Sequence, residues 1–339
     1  MSTPKLNRWT GFIQTISAKE PEVGMTPRTA VWKKNKATLW HYPSKNKKYK
    51  VPLFLIYSLI NQPFILDLGP KYSLIEAFTS NGFEVYLLDF GIPGYEDKDL
   101  SMDDYILRYI KKGVQRALLH SNASEISLIG FCMGGTFAAI YTSIADEPIK
   151  NLIISVAPID FSVTPIFSEG VKMLQNEEVN FEQILDAWGM IPPAYVKRGM
   201  KLATMPISYS PYLSLLSHAD DEERNLKWSR FNYWADSHIP ISAAAIKQMI
   251  VDLEKENKLI TGNLRIGDRP AKLKNITANL LAVGASHDRL ISIEQIKPII
   301  DLVSSKDKSF HILEGGHGSL AKDGKAPGYL ENWLADRSN

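Results

Sequence analysis
From residue 51 to the end of the chain, short apolar runs alternate with helix-like stretches, and that order admits few folds. The spacing predicts strands at 51–57, 84–89, 125–131 and 151–156, with helices at 73–80, 102–120 and 136–144 between them. Repeated strand–helix–strand units imply a mostly parallel sheet covered by helices on both faces. The alternation resumes with strands at 278–284 and 309–313 and helices at 293–303 and 329–335. Between 161 and 275 it lapses, and prolines and aromatics such as Pro192, Pro193, Tyr195, Trp228, Phe231, Tyr233 and Trp234 take over. The expected organisation is an N-terminal segment with edge strands (1–50), a core from 51–160 and 276–339, and a cap subdomain inserted at 161–275. In such a sheet, ligands sit beyond the carboxyl ends of the strands.

With 339 residues, 45% of them apolar and 22% charged, the chain can bury a large core. A formal net charge of +2 argues against wholesale electrostatic binding of nucleic acid. The lysine-rich first 50 residues read as solvated edge strands. The opening residues lack the apolar centre of a signal peptide, and Pro52, Asn61, Gln62, Pro63 and Asp67 interrupt the apolar stretch 51–68, so a cytoplasmic chain with no transmembrane segment is expected. A single cysteine rules out an internal disulfide. The chain has no glycine-rich phosphate loop, dinucleotide fingerprint or His-Glu-x-x-His motif, and no metal or cofactor is expected.

That cysteine stands in Gly130-Phe131-Cys132-Met133-Gly134-Gly135, between a predicted strand and a predicted helix. A nucleophile on so sharp a turn needs neighbours without a Cβ, and glycines 130 and 134 meet that need. A neutral thiol is a weak nucleophile, so Cys132 requires a base, and the base an orienting acid. His317 follows the last strand in a glycine-rich loop, with His287 as a rival, and Asp288 follows the preceding strand, with Asp160 as an alternative acid. The order nucleophile, acid, histidine is that of the α/β-hydrolase fold. The backbone N–H of Met133 is one expected oxyanion donor, and a second should lie within 57–61, at a residue the sequence leaves open.

With Cys132, Asp288 and His317 in this order, the chain resembles the catalytic subunit of polyhydroxyalkanoate synthases, cysteine-dependent relatives of α/β-hydrolases. The resemblance extends over Glu20-Pro21-Glu22-Val23-Gly24, Val31-Trp32-Lys33-Lys34-Asn35-Lys36, Ile65-Leu66-Asp67-Leu68, Val85-Tyr86-Leu87-Leu88-Asp89-Phe90-Gly91, the cysteine box, and Asn257-Lys258-Leu259-Ile260. It points to the short, two-subunit class IV enzymes of bacilli. It implies acyl transfer from hydroxyacyl-CoA to a growing polyester through an acyl-cysteine, with coenzyme A entering as substrate rather than cofactor. It further implies a small accessory synthase subunit, a homodimer and a place at the surface of polyester granules. Phe90 stands where that class usually carries tryptophan, and the chain starts closer to Glu20 than the class does, which bears on how the partner would dock. A cysteine thioesterase or hydrolase on the same fold and a noncatalytic granule-associated scaffold are the alternatives.

Overall fold
The computed structural model describes residues 7–163, 181–204, 210–318 and 324–339. The parts of the expected cap at 164–180 and 205–209, and residues 319–323 after His317, lie outside the described residues.

Eight strands, numbered here in chain order, form the main sheet: β1 (Thr29–Lys34), β2 (Ala37–Tyr42), β3 (Leu53–Ile56), β4 (Val85–Asp89), β5 (Ile126–Phe131), β6 (Ile149–Ser155), β7 (Asn279–Ala285) and β8 (Lys308–Leu313). Their spatial order is β1-β2-β4-β3-β5-β6-β7-β8. Every neighbour pair from β4 to β8 is parallel, and β1 and β2 join as antiparallel strands at one edge. Parallel strands with helices on both faces are buried on both, which is why β3 and β5 are wholly apolar or small and wholly buried. The period of two then divides each strand between two cores: Phe54 and Ile56 face one, Leu53 and Leu55 the other. Phe137 and Ile140 of helix Met133–Ile144 pack in the first core. Phe78 of helix Leu74–Ser80 and Leu334 of helix Gly328–Ala335 pack in the second.

Four local expectations need correction. The helix after the cysteine starts at Met133 rather than 136, because Gly134 and Gly135 continue the helix while allowing the backbone to press against the end of β3 and Gly130 of β5. The stretch 293–303 is two short helices, Ile293–Ile296 and Ile299–Leu302, separated at Pro298, whose ring and missing N–H cannot sit inside a helix. Of the two N-terminal strands only β1 is a solvated edge: Ala37 and Leu39 of β2 are fully buried in the core with Tyr86 and Leu88. A further helix, Arg8–Ile16, forms in the segment read as polar; the Asn7 side chain accepts from the Trp9 N–H at its start (3.1 Å).

Between β6 and β7 the chain leaves the sheet and returns after a series of helices, among them Phe181–Trp188, Pro193–Thr204, Glu222–Asp236 and Ala243–Gln248. Among the described residues, no helix is long and apolar enough to cross a membrane.

Candidate active site
Cys132 occupies the turn between β5 and helix Met133–Ile144 with φ +52° and ψ −133°. A residue with a Cβ is strained there by about 1–3 kcal/mol, so the surroundings must hold it. They do so through the Cys132 N–H, which donates to the Ser155 carbonyl at the end of β6 (3.0 Å), and the Cys132 carbonyl, which accepts from Gly135 N–H (2.8 Å). A Cβ on Gly134 would collide with the carbonyl oxygens of Ile56 and Tyr57, and one on Gly130 with the Gly135 backbone. The thiol is free and partly exposed. Met133 is the first residue of the helix, where the N–H has no partner within the helix itself.

His317 and Asp288 stand on the loops that follow β8 and β7. The parallel strands deliver both loops to one edge, and two backbone bonds lock them together: Ser286 N–H to Leu313 O (3.0 Å) and His287 N–H to Gly315 O (2.9 Å). His317 Nδ1 lies 2.7 Å from Asp288 Oδ2, and the Asp288 side chain is fully buried. Its other oxygen accepts the N–H groups of Leu290 (2.9 Å) and Ile291 (3.1 Å), which fixes the carboxylate plane. Burial by itself would push the His317 pKa down. The charge of Cys132 and the hydrogen bonds to Asp288 and Cys132 outweigh it and raise His317 to about 10. Cysteine, histidine and aspartate are thus brought together in one electrostatically coupled group.

The rivals are placed elsewhere. His287 is exposed, its Nδ1 paired with Ser286 Oγ (3.1 Å). Asp160 accepts from the N–H and hydroxyl of Ser162 (2.9 and 2.7 Å) and from Asn257 (2.9 Å). Asp89 supports its own turn by accepting the Gly91 N–H (2.9 Å). Phe90 packs edge-on against Tyr105, with centroids 5.2 Å apart.

The segment expected to hold the second oxyanion donor follows β3. Within it the Ile60 N–H is directed at Ser58 Oγ (3.3 Å). Tyr57 is buried, and burial followed by the charge of Cys132, against a hydrogen bond from the Trp234 side chain, keeps its hydroxyl well above the usual range, so it stays protonated. The same segment lines a cavity of about 190 Å³ with Leu88, Phe90, Ile92 and Ile239. The ties from this loop to Trp234 of helix Glu222–Asp236 span more than 170 positions, and no short-range sequence signal announces them.

Comparison with known proteins agrees with this architecture. The family model for the alpha/beta hydrolase fold matches residues 52–323. The poly(3-hydroxyalkanoate) polymerase subunit PhaC of Haloferax mediterranei is 33% identical over 96% of this chain, which spans 66% of that relative's length. The subunit of the same name from Synechocystis is 30% identical over 96% of this chain and 88% of its own. Among solved structures, a soluble variant of monoglyceride lipase from Saccharomyces cerevisiae superimposes with a TM-score of 0.59 at 14% identity, covering 93% of this chain and 98% of that one. That likeness concerns the fold alone.

Proposed function
Because this chain belongs to the poly(3-hydroxyalkanoate) polymerase family on the alpha/beta hydrolase fold, we propose that it is an acyltransferase that polymerises (R)-3-hydroxyacyl-CoA through an acyl-cysteine on Cys132. The observation that carries the mechanism is the 2.7 Å bond from His317 to the buried Asp288, with Cys132 coupled to the same ring.

In the first stage His317 takes the thiol proton, and the thiolate attacks the thioester carbonyl. Negative charge collects on the carbonyl oxygen, where the Met133 N–H and a donor from 57–61 stabilise it. The bond to coenzyme A breaks, the CoA sulfur leaves with the proton from His317, and the acyl group remains on Cys132. In the second stage His317 removes the proton from the hydroxyl of another hydroxyacyl unit or of the growing chain. That oxygen attacks the acyl-cysteine, an ester forms, and the Cys132 thiol is restored. A thiol suits the task because the acyl group stays activated until an alcohol captures it. Both stages are redox-neutral exchanges of one acyl group, which is why no cofactor is assigned.

The cap matters because water competes with the alcohol, and an apolar enclosed site favours elongation over hydrolysis. The reading places the enzyme in the cytoplasm at the granule surface, with a small accessory subunit. Purified protein given 3-hydroxybutyryl-CoA should release CoA and form polymer, with Cys132→Ala doing neither, and the assay repeated with a candidate partner subunit measures that dependence. Free hydroxy acid in place of polymer would make the chain a thioesterase, and equal polymer from the variant would remove Cys132 from the mechanism.

A further inference from the structure
Helix Glu222–Asp236 and the residues just after it touch the loop following β3 at three consecutive positions. The Ile60 carbonyl accepts the Ile239 N–H (3.2 Å). The Asn61 side-chain amide donates to the Trp234 carbonyl (2.8 Å), and the Gln62 carbonyl accepts the Trp234 indole N–H (3.1 Å). An antiparallel bridge between Asn61 and His238 and the stacking of Phe64 on Tyr233, with centroids 5.4 Å apart, extend the contact.

These ties fix the loop from outside. The Trp234 carbonyl already accepts the Ser237 N–H at the helix end (3.0 Å), and the Asn61 amide adds a second bond to it while its Oδ1 accepts the Gln62 N–H (2.8 Å). A loop after a strand end has no ladder to set its backbone, so its peptide planes point where side bonds hold them. Such a loop can keep an N–H aimed at a developing oxyanion only if something outside it fixes its geometry. The same helix meets the other half of the site: the Phe231 ring sits where a Cβ on Gly318, next to His317, would come within 3.0 Å. One cap helix therefore spans the loop of the base and the loop of the oxyanion donor.

We infer that Trp234 and Asn61 are positioning residues, a brace by which the cap holds the 57–62 loop in the orientation that serves the oxyanion. The inference rests on the acyl-transfer reading above and deepens it. Neither side chain is assigned contact with the reacting atoms; both act through the 57–62 loop, Trp234 through the Gln62 carbonyl and the Tyr57 side chain together. Asn61 and Gln62 of the brace also line the cavity with Tyr57, Ser58 and Ile239.

The test uses the full chain with 3-hydroxybutyryl-CoA, Trp234→Phe and Asn61→Asp. Trp234→Phe keeps an aromatic ring and loses the indole donor; Asn61→Asp keeps the acceptor for Gln62 and loses the donor to Trp234. Each should lower kcat for CoA release by roughly ten- to hundredfold, the range expected when a stabilising donor is mis-aimed. KM for the thioester, and the rate at which iodoacetamide alkylates Cys132 in the absence of substrate, should stay within about twofold, because the nucleophile and its base are untouched. The double variant should be no worse than the poorer single one, since both remove the same brace. Variants with kcat within twofold of the parent, or with alkylation falling in step with kcat, overturn the brace. A parent that neither releases CoA nor forms polymer overturns the functional reading and the brace with it, so the two failures are told apart by the parent alone.

Discussion
Two histidine–carboxylate pairs lie at opposite ends of the parallel strands, built from similar residues and arranged to opposite effect. At the carboxyl ends, His317 meets a fully buried Asp288 at 2.7 Å and is raised to about 10. At the other end, His41 of β2 stands 3.6 Å from Glu84, just before β4, and stacks on Tyr86, which in turn holds His120. There Lys47 also engages the carboxylate (2.5 Å), and burial together with His41 lowers the His120 pKa. Proximity of a histidine to an acid is therefore not what sets the first pair apart. What differs is that, among the described residues, Asp288 has one ionic partner, and that the partner's ring is coupled in turn to a thiol.

The comparison breaks most visibly in turnover. Asp288→Asn removes the charge that orients His317, and kcat should fall by about 10³- to 10⁴-fold, as when a triad acid is neutralised in place. Glu84→Gln makes the same chemical change at the other pair and should leave kcat within about twofold. Steady-state CoA release measures both, and a large loss from Glu84→Gln would mean that the two ends are coupled.

The asymmetry between the pairs also bears on what could be read from the sequence. The placement of Cys132, Asp288 and His317 at one edge was legible because a parallel sheet turns sequence into place: a residue just after a strand goes to the carboxyl edge, whichever strand it follows. The sheet was legible for the same reason, since β3 and β5, apolar but for Ser127, can lie only between two layers. The Trp234–Gln62 and Asn61–Trp234 bonds were not, because they join segments whose meeting depends on how a long insertion folds back. Helix Arg8–Ile16 was missed because its support lies in helices Ser210–Ser217 and Glu222–Asp236, far along the chain. The break at Pro298 was written in the sequence, and the apolar periodicity hid it.

The two pairs should also mark opposite limbs of the pH–stability profile. Hydrogen bonding by His41, against burial, and then Lys47 lower Glu84 from 4.5 to about 2, so its contribution is whole above pH 4.5 and is lost as pH falls toward 2. His317 is raised from 6.5 to about 10, so its contribution is whole below pH 6.5 and is lost as pH rises through 10. Glu84→Gln should flatten the acid limb, removing on the order of 1–3 kcal/mol near neutrality, and should leave the alkaline limb as it is. Asp288→Asn should weaken the alkaline limb instead. Urea unfolding at a series of pH values separates them, and an acid limb unchanged by Glu84→Gln would show that the pair is equally strong in the unfolded chain.

The smallest effect sharpens the comparison most. The Tyr86 hydroxyl lies 2.7 Å from His120 Nδ1, and burial, followed by the charge of Glu84, pushes its pKa up, so the phenol keeps its proton. His120, lowered in pKa, stays a neutral ring. Tyr57 at the other end is likewise buried and held in its protonated form, but its charged neighbour is Cys132. Tyr86→Phe removes one hydrogen bond at a histidine that water can reach, and should cost about 0.5–1.5 kcal/mol of unfolding free energy with turnover unchanged. Tyr57→Phe removes a hydroxyl electrostatically coupled to Cys132, the proposed nucleophile, and should lower kcat more than it lowers stability. If both tyrosines changed stability alone, the hydroxyl beside Cys132 would be packing, as its counterpart is, and the chemistry would belong to the cysteine, histidine, aspartate and backbone donors by themselves.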